Sequence, residues 1–332
     1  MSLKEIAKQL GLSVTTVSRA LNGYDDVSEE TYQRVKAEAD RRGYRPNSFA
    51  RRLKMGKIDA VGLILPTNIE RLNDAAFMNT VGHISQSLSK KDIDLLLIAD
   101  DFDPQKSMFM RIIGSRRVDA LIVAHTLEND PRLQQLQRLK FPFLALGRSQ
   151  LSEPYAWFDF DNYAGTQLAT QHLIDQGHQR IAFFSEGNDQ SFVIQRLNGY
   201  LDTLKKNQLS FCSQYLCQGV TTRRDGYLAT QRLLALDTPP TAIITDCNMQ
   251  GDGAAMALAQ ADKLQGPSAI SLIVFDGLPE DSIITAPVSA IVQATRERVG
   301  QQIAQMILAL IDGQPVSELQ VLWQPTLRLD SV

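Results

Sequence analysis

Leu3-Lys4-Glu5-Ile6-Ala7-Lys8-Gln9-Leu10-Gly11-Leu12-Ser13-Val14-Thr15-Thr16-Val17-Ser18-Arg19-Ala20-Leu21-Asn22 reads as a helix, a tight turn and a second helix. Ser2 and Glu5 stand in capping-box spacing, and Leu3, Ile6, Ala7 and Leu10 fall on one helical face. Gly11 suits the left-handed residue that ends a helix, Ser13 can cap the next one, and Val17, Ala20 and Leu21 give it an inward stripe. Thr15, Thr16, Ser18 and Arg19 then point outward. Short hydroxyls and a guanidinium at a helix N-terminal end are suited to phosphates and base edges. An ordinary helical hairpin shares this spacing, so the pair alone does not decide between the two. A third helix follows, capped by Ser28, with Glu29 and Glu30 in its first turn, Tyr32, Val35 and Ala39 facing inward, and Arg41-Arg42-Gly43 at its end.

Charge separates this head from the rest. Residues 1–57 carry 12 Lys plus Arg against 7 Asp plus Glu, a net of +5, and the remainder carries −8 within a total of −3. A basic head on an acidic body is the electrostatic footprint of nucleic-acid binding by one end only. Pro46 breaks the helical run, and Ser48 to Met55, closed by Gly56, holds barely two helical turns. So short a helix is unstable alone in water, so this segment is expected to order only against DNA and a partner chain and otherwise to serve as a basic linker.

From Lys57 onward apolar runs alternate with amphipathic stretches. Ile58 to Leu65, closed by Pro66, reads as a buried strand, as do Ile93 to Ala99, Val118 to Ala124, Phe141 to Leu146, Arg180 to Ser185, Thr241 to Thr245 and Ser271 to Phe275. The alternation predicts parallel sheets with helices on both faces. The length of residues 58–332 is large for one such sheet, so two subdomains are expected, with a ligand cleft beyond the carboxyl ends of their strands.

The run from Leu3 to Asn22, the Tyr44-Arg45-Pro46-Asn47 element and Ala50-Arg51-Arg52-Leu53 resemble the lactose/galactose-repressor family of bacterial transcription factors, and the likeness extends over essentially the whole chain. Within it the chain looks most like the members that respond to α-galactosides, through Leu95 to Asp101, Ala156 to Asn162 and Gly251 to Met256. The resemblance implies an all-α helix-turn-helix headpiece over residues 1–46, a hinge helix and linker over 47–57, and a core over 58–332. That core would be periplasmic-binding-protein-like, with two doubly wound parallel-sheet subdomains and crossovers near 150–162 and 277–295. It implies that Val14, Thr15 and Arg19 enter the major groove, that Thr16 and Ser18 help hold phosphates, and that Leu53 wedges into a central minor-groove step. Ser13, Asn22, Asn47, Ala50 and Arg51 complete the expected DNA-binding set.

Pocket candidates are polar or aromatic groups just past the strands: Phe77, Asp100, Asp101, His125 and Arg148 in the first half, Arg196, Asp246, Asn248 and Asp276 in the second. Sugars present paired hydroxyls and apolar ring faces, which call for carboxylates, guanidinium groups and stacking rings. The resemblance carries the family's sugar-gripping arginine onto Arg196, its carboxylate onto Asp276, and further lining positions onto Gln293 and Phe158. Where the family has Asn-Asp, this chain reads Asp246-Cys247-Asn248, with amide and carboxylate exchanged. Any of these acids could instead cap a helix.

Other chemistry is thinly represented. Cys212, Cys217 and Cys247 form no CxxC pair, and the four histidines show no metal-ligand spacing. Gly251-Asp252-Gly253 lacks the rest of a dinucleotide fingerprint and reads as a close helix contact. There is no phosphate loop, no nucleophile elbow, no secretory apolar core, and no run of the roughly 20 apolar residues that span a bilayer. The expectation is a cytoplasmic, non-enzymatic, cofactor-free repressor of a sugar-utilisation operon. It would bind double-stranded operator DNA as a homodimer and be released by a saccharide effector, an α-galactoside such as raffinose or melibiose. An α-glucoside effector or a corepressor mode is the nearest alternative; an exported solute-binding protein or a sugar-active enzyme fits less well. Asp74 to Ser89 and Thr295 to Ile311 are the expected dimer surfaces. The Ile303, Met306, Ile307 and Leu310 stripe is explained equally by dimer or core packing.

Overall fold

The computed structural model describes residues 3–21, 24, 26–44, 58–66, 75–100, 107–187, 189–286 and 288–329. The chain forms two compact units, Met1–Asp59 and Ala60–Val332. In the first, α1 (Leu3–Leu10), α2 (Val14–Leu21) and α3 (Glu29–Arg41) enclose Ile6, Ala7, Val17, Ala20, Val35 and Ala39. Gly11 takes a φ of +66° at the end of α1, the left-handed stop its sequence position predicts. Ser28 Oγ accepts the Thr31 amide and caps α3. Tyr32 departs from its inward reading: it stays half-buried with the Lys36 ammonium 5.8 Å from its ring centre, while Glu38 occupies a buried position and pairs with Arg41 and Arg42. Ser2 lies outside the described residues.

The second unit holds two six-stranded sheets. The first contains β1 (Ala60–Pro66), β2 (Asp94–Asp100), β3 (Ala120–Val123), β4 (Phe143–Leu146), β5 (Ala156–Phe160) and β11 (Gln320–Trp323), ordered β11-β5-β4-β3-β1-β2 and parallel throughout. The second contains β6 (Ile181–Ser185), β7 (Leu216–Gln218), β8 (Ala242–Thr245), β9 (Ser271–Phe275), β10 (Ser289–Val292) and β12 (Thr326–Arg328), ordered β12-β10-β9-β8-β6-β7, with only β12 antiparallel. Continuous Val, Ile and Leu runs suit these strands because helices cover both sheet faces. β1 starts two residues after the expected Ile58 because Asp59 sits at φ +55°, which extended backbone cannot accommodate.

The helices of this unit are α4 (Ala75–Ser89), α5 (Met108–Gly114), α6 (Pro131–Arg138), α7 (Asn162–Asp175), α8 (Ser191–Lys206), α9 (Arg223–Leu234), α10 (Asn248–Gln260) and α11 (Arg296–Ile311). The chain passes between sheets after β5, after β10 and again between β11 and β12. Ile303, Met306 and Ile307 of α11 are buried with Val81, Ile84 and Leu88 of α4. Those three positions are therefore core packing within the chain, while Leu310, the fourth of the stripe, is half-buried at the edge of the same cluster. α9 and α10 meet through glycine: a Cβ on Gly253 would lie 1.9 Å from the Arg223 carbonyl oxygen.

Candidate functional site

In the headpiece, Ser13 Oγ accepts the Thr16 amide at 3.0 Å and lies 2.8 Å from the Thr16 hydroxyl, fixing the start of α2. Val14 is 41% exposed although it is apolar, and Thr15 beside it is exposed; both stand in the first turn, where a helix offers unpaired amides. Thr16 and Ser18 are half-buried. Arg19, in the last turn of α2, is paired with Asp26 and lies over the Tyr24 ring at 4.7 Å, so its guanidinium is held at the surface. Asn22, Asn47, Ala50, Arg51 and Leu53 lie outside the described residues.

In the second unit a chain of hydrogen bonds crosses from one sheet to the other. Arg148, past β4, donates from Nε to Asp159 Oδ2 at 2.9 Å; Asp159 Oδ1 accepts from Asn162 Nδ2 at 3.2 Å; and Asn162 Oδ1 accepts Arg196 Nε at 2.9 Å. Arg196 Nη1 then donates to the Asp246 carbonyl past β8. Its guanidinium lies 3.6 Å from the Phe275 ring centre with Phe192 at 4.8 Å, so two aromatic rings fix its plane. A second link is direct: Arg148 Nη2 donates to Gln195 Oε1 of α8 at 3.0 Å. The backbone joins in, since Ser191 N–H donates to Thr126 O at 2.9 Å and Glu128 N–H to Asp189 O at 3.1 Å. The polar seam is thus continuous from the first sheet's strand ends to the second's.

Burial dominates the electrostatics. It lowers the Arg196 pKa, against the opposing pull of the Asp276 and Asp246 charges. It raises Asp159, against the stabilising Arg148 hydrogen bond, and it pushes Asp246 up to about 7, helped by the neighbouring Glu186 charge. Glu186, Asp246 and Cys247 bring ligand-type atoms within 4.8 Å of one another. Both Asp246 oxygens already accept protein donors, the Gln250 amide on Oδ1 and the Glu186 N–H on Oδ2, so this trio braces the start of α10.

The remaining expected pocket residues divide. His125 sits at φ +52°, 5.1 Å from the Phe77 ring, with Nδ1 3.5 Å from Gln190 Oε1. Asp276 is also left-handed, at φ +66°, and pairs with Arg296 at 3.4 Å. A non-glycine residue held there at a strand end stores strain of the kind found at ligand sites. Asn248 opens α10, and Gln293 follows β10, both half-buried. Asp100 is buried and accepts from Ser107 Oγ and the Met108 amide, so it caps α5. Asp101 lies outside the described residues. Phe158 is packed edge-on against Phe160 and Trp323 in the core, because strand alternation turns 158 and 160 to one face and 157 and 159 to the other. Trp157, on that other face, is the half-buried ring, 5.7 Å from the Arg148 guanidinium.

Sequence reasoning did not select Trp157, Asp159, Asn162 or Gln195. The alternation along β5 is the signal that marks Trp157 and Asp159. Asn162 and Gln195 carry no local signal, since their partners come from distant segments. Two cavities stand out: one of about 280 Å³ at the Arg148–Gln195 seam, and one of about 310 Å³ between the end of α10 and residues 283–286, which shares no residue with the network.

A helix-turn-helix unit joined to a two-sheet body whose strand ends converge on a buried arginine defines a bacterial transcriptional regulator with a periplasmic-binding-protein-like core. The chain belongs to the LacI family: residues 2–47 match "Bacterial regulatory proteins, lacI family", and residues 58–322 match "Periplasmic binding proteins and sugar binding domain of LacI family". It is 54% identical over 325 residues to the HTH-type transcriptional regulator RafR of Escherichia coli, covering 98% of this chain and 96% of that one. A transcriptional regulator from Yersinia pestis biovar Microtus has a crystal structure similar to it at a TM-score of 0.78 and 52% identity, over 82% of this chain and 96% of that one. The Lac repressor dimer bound to operator and the anti-inducer ONPF shares the fold at a TM-score of 0.83 and 24% identity, over 98% and 97% of the two chains. Among the described residues no helix is long and apolar enough to cross a membrane.

Proposed function

We propose that this regulator represses a sugar-utilisation operon by binding a near-palindromic operator as a homodimer, and that an α-galactoside such as raffinose or melibiose releases it. The observation that carries the saccharide reading is Arg196: a buried guanidinium clamped between Phe192 and Phe275, its Nε on Asn162, at the meeting of both sheets. A planar fork beside aromatic faces suits a ring with paired hydroxyls and an apolar side. The family match of the body, described as a sugar-binding domain, points the same way. Exposed Val14 and Thr15 on α2, with Arg19 nearby, supply the base-reading surface, and a dimer reads two half-sites. Coupling follows from linkage: a sugar that favours one arrangement of the two sheets over another shifts operator affinity, and operator shifts sugar affinity by the same factor.

The test is operator selection from a randomised duplex library with the full-length protein, followed by anisotropy titration against galactosides and glucosides. The expected result is a near-palindromic site, released by α-galactosides. Unchanged affinity across the sugar panel would end the inducer assignment, and tighter binding would identify a corepressor.

A further inference from the structure

Arg132 and Asp130 stand apart from the network around Arg196. Their side chains are 2% and 0% exposed at the start of α6, and they pair as a fork, Arg132 Nε on Asp130 Oδ1 at 3.0 Å and Nη2 on Oδ2 at 2.7 Å. The same Nη2 reaches the carbonyl oxygens of Ala124 at 3.1 Å and His125 at 3.2 Å, just past β3. Resting on the saccharide reading above, in which His125 lines the pocket, we propose that Arg132 is a positioning residue: it holds His125 in the left-handed conformation that presents its imidazole to the effector.

Backbone geometry carries the step. The Ala124 carbonyl lies in the peptide plane before the His125 Cα and the His125 carbonyl in the plane after it, so one rigid group holding both oxygens restrains φ and ψ of His125 together. His125 needs that hold. Its φ is +52°, which a residue with a Cβ adopts only at a cost and keeps only where its surroundings impose it. Held so, the imidazole lies 5.1 Å from the Phe77 ring of α4 and brings Nδ1 to 3.5 Å from Gln190 Oε1, at the start of α8 across the seam. The guanidinium cannot swing away, because Asp130 grips it at two points and is itself fixed by the amides of Leu127 and Arg132. An apolar side chain would fill the same space without the desolvation cost of a buried ion pair, but it could not hold two carbonyls. At 2% exposure the Arg132 side chain offers a ligand no surface of its own, so its effect on the site runs through the loop it braces.

A double-mutant cycle on the full-length protein, read by calorimetry with melibiose, or with maltose if melibiose does not bind, tests this. Arg132→Met is made together with Asp130→Asn, so that no carboxylate is left buried without its cation and a good cap remains on α6. The pair is expected to weaken sugar binding by about five- to thirtyfold, the population cost of an unsupported left-handed residue, with operator affinity kept. When His125→Gly is also present, residue 125 turns left-handed freely and carries no imidazole, and the same pair is expected to change sugar affinity by less than about twofold. Arg132→Gln, whose amide can hold one carbonyl, is expected to lose a few-fold, and it supplies the comparison where Arg132→Met does not fold. A loss that is the same with and without His125→Gly, or no loss on either substitution of Arg132, overturns the positioning role and leaves the saccharide reading standing. A wild type that binds neither sugar overturns that reading and this inference together.

Discussion

Arg148 and Gln195 meet at 3.0 Å across the seam, the first from the loop after β4 and the second from α8, a direct side-chain link beside the longer Arg148–Asp159–Asn162–Arg196 relay. Arg148 keeps its Asp159 partner when Gln195 is removed, so Gln195→Ala separates the seam from the folding of either side. Losing one partly exposed hydrogen bond shifts the balance of arrangements by about 0.5–1.5 kcal/mol. The effector concentration for half-release of operator is expected to rise by roughly two- to tenfold, read by anisotropy. An unmoved midpoint would show that the bond does not report on the ligand-holding arrangement.

Arg196→Lys keeps the charge but loses the planar fork and the stacking between Phe192 and Phe275. Operator binding is expected to survive, because Arg196 and the headpiece lie in separate compact units, while saccharide release is lost. Arg196→Ala is the harsher variant: it strands Asn162 Oδ1 and the Asp246 carbonyl, with an expected loss of about 1–3 kcal/mol in urea unfolding. A folded Lys variant that still responds to sugar would remove Arg196 from the site.

Asp246 gives a pH signature. Its carboxyl is raised from 3.8 to about 7 by burial and by the Glu186 charge. Between about pH 4 and pH 7 the folded chain keeps a proton that the unfolded chain has released, so this group's contribution to stability falls as pH rises through that window and levels off above it. Asp159 is raised by burial and acts in the same direction. Asp246→Asn exchanges one accepting oxygen for an amide donor, at a cost that does not titrate, so the variant's stability relative to the parent is expected to rise from pH 5 to pH 8, measured by urea midpoints at both values. A gap independent of pH would assign the titration elsewhere.

How much of this was legible in the sequence follows the range of each interaction. Gly11, Ser13 and Ser28 are local devices, and they act where their spacing places them. The long apolar runs that became β1, β3, β4, β6, β8 and β9 stand out because both faces are buried, and β2, although it is an edge strand with Leu97 half exposed, is just as apolar. The three-residue strands β7 and β12, and β11 with its partner β5 more than 150 residues away, have too little local pattern to be read. In the site, Arg196 came through family likeness, but Asn162, 34 residues away, is joined to it only by the fold. One step along β5 exchanges the core face, where Phe158 packs against Trp323, for the face where Trp157 lies near Arg148, an alternation that sequence likeness does not resolve.

Asp26 restrains the residue expected to read bases. Arg19 is paired with its carboxylate, yet both groups are about half exposed, at 43% and 56%, so the pair is screened and worth at most about 1 kcal/mol. Asp26→Asn removes the competitor and one negative charge from the binding face. Operator affinity is expected to rise a few-fold at low salt, with the gain shrinking as salt increases. Arg19→Ala is expected to cost about 1–3 kcal/mol of discrimination between specific and random duplexes. If both substitutions leave the specific-to-random ratio unchanged, Arg19 contacts only phosphates.

The closest helix contact of the body rests on Gly253. The Gly251-Asp252-Gly253 run could be mistaken for a nucleotide-binding loop, yet it lies inside α10, where a Cβ on Gly253 would stand 1.9 Å from the Arg223 carbonyl and 2.7 Å from the Tyr227 amide nitrogen. Both obstacles are backbone, so no side chain can turn aside. Gly253→Ala must push α9 away from α10, and Asp252, buried and paired with Arg223 across the same contact, moves with it. Overpacking of this kind costs typically about 1–3 kcal/mol, and at backbone contacts more. The expected readout is a lowered urea midpoint with unchanged m-value. A variant as stable as the parent would mean that α9 and α10 are not held this closely in solution.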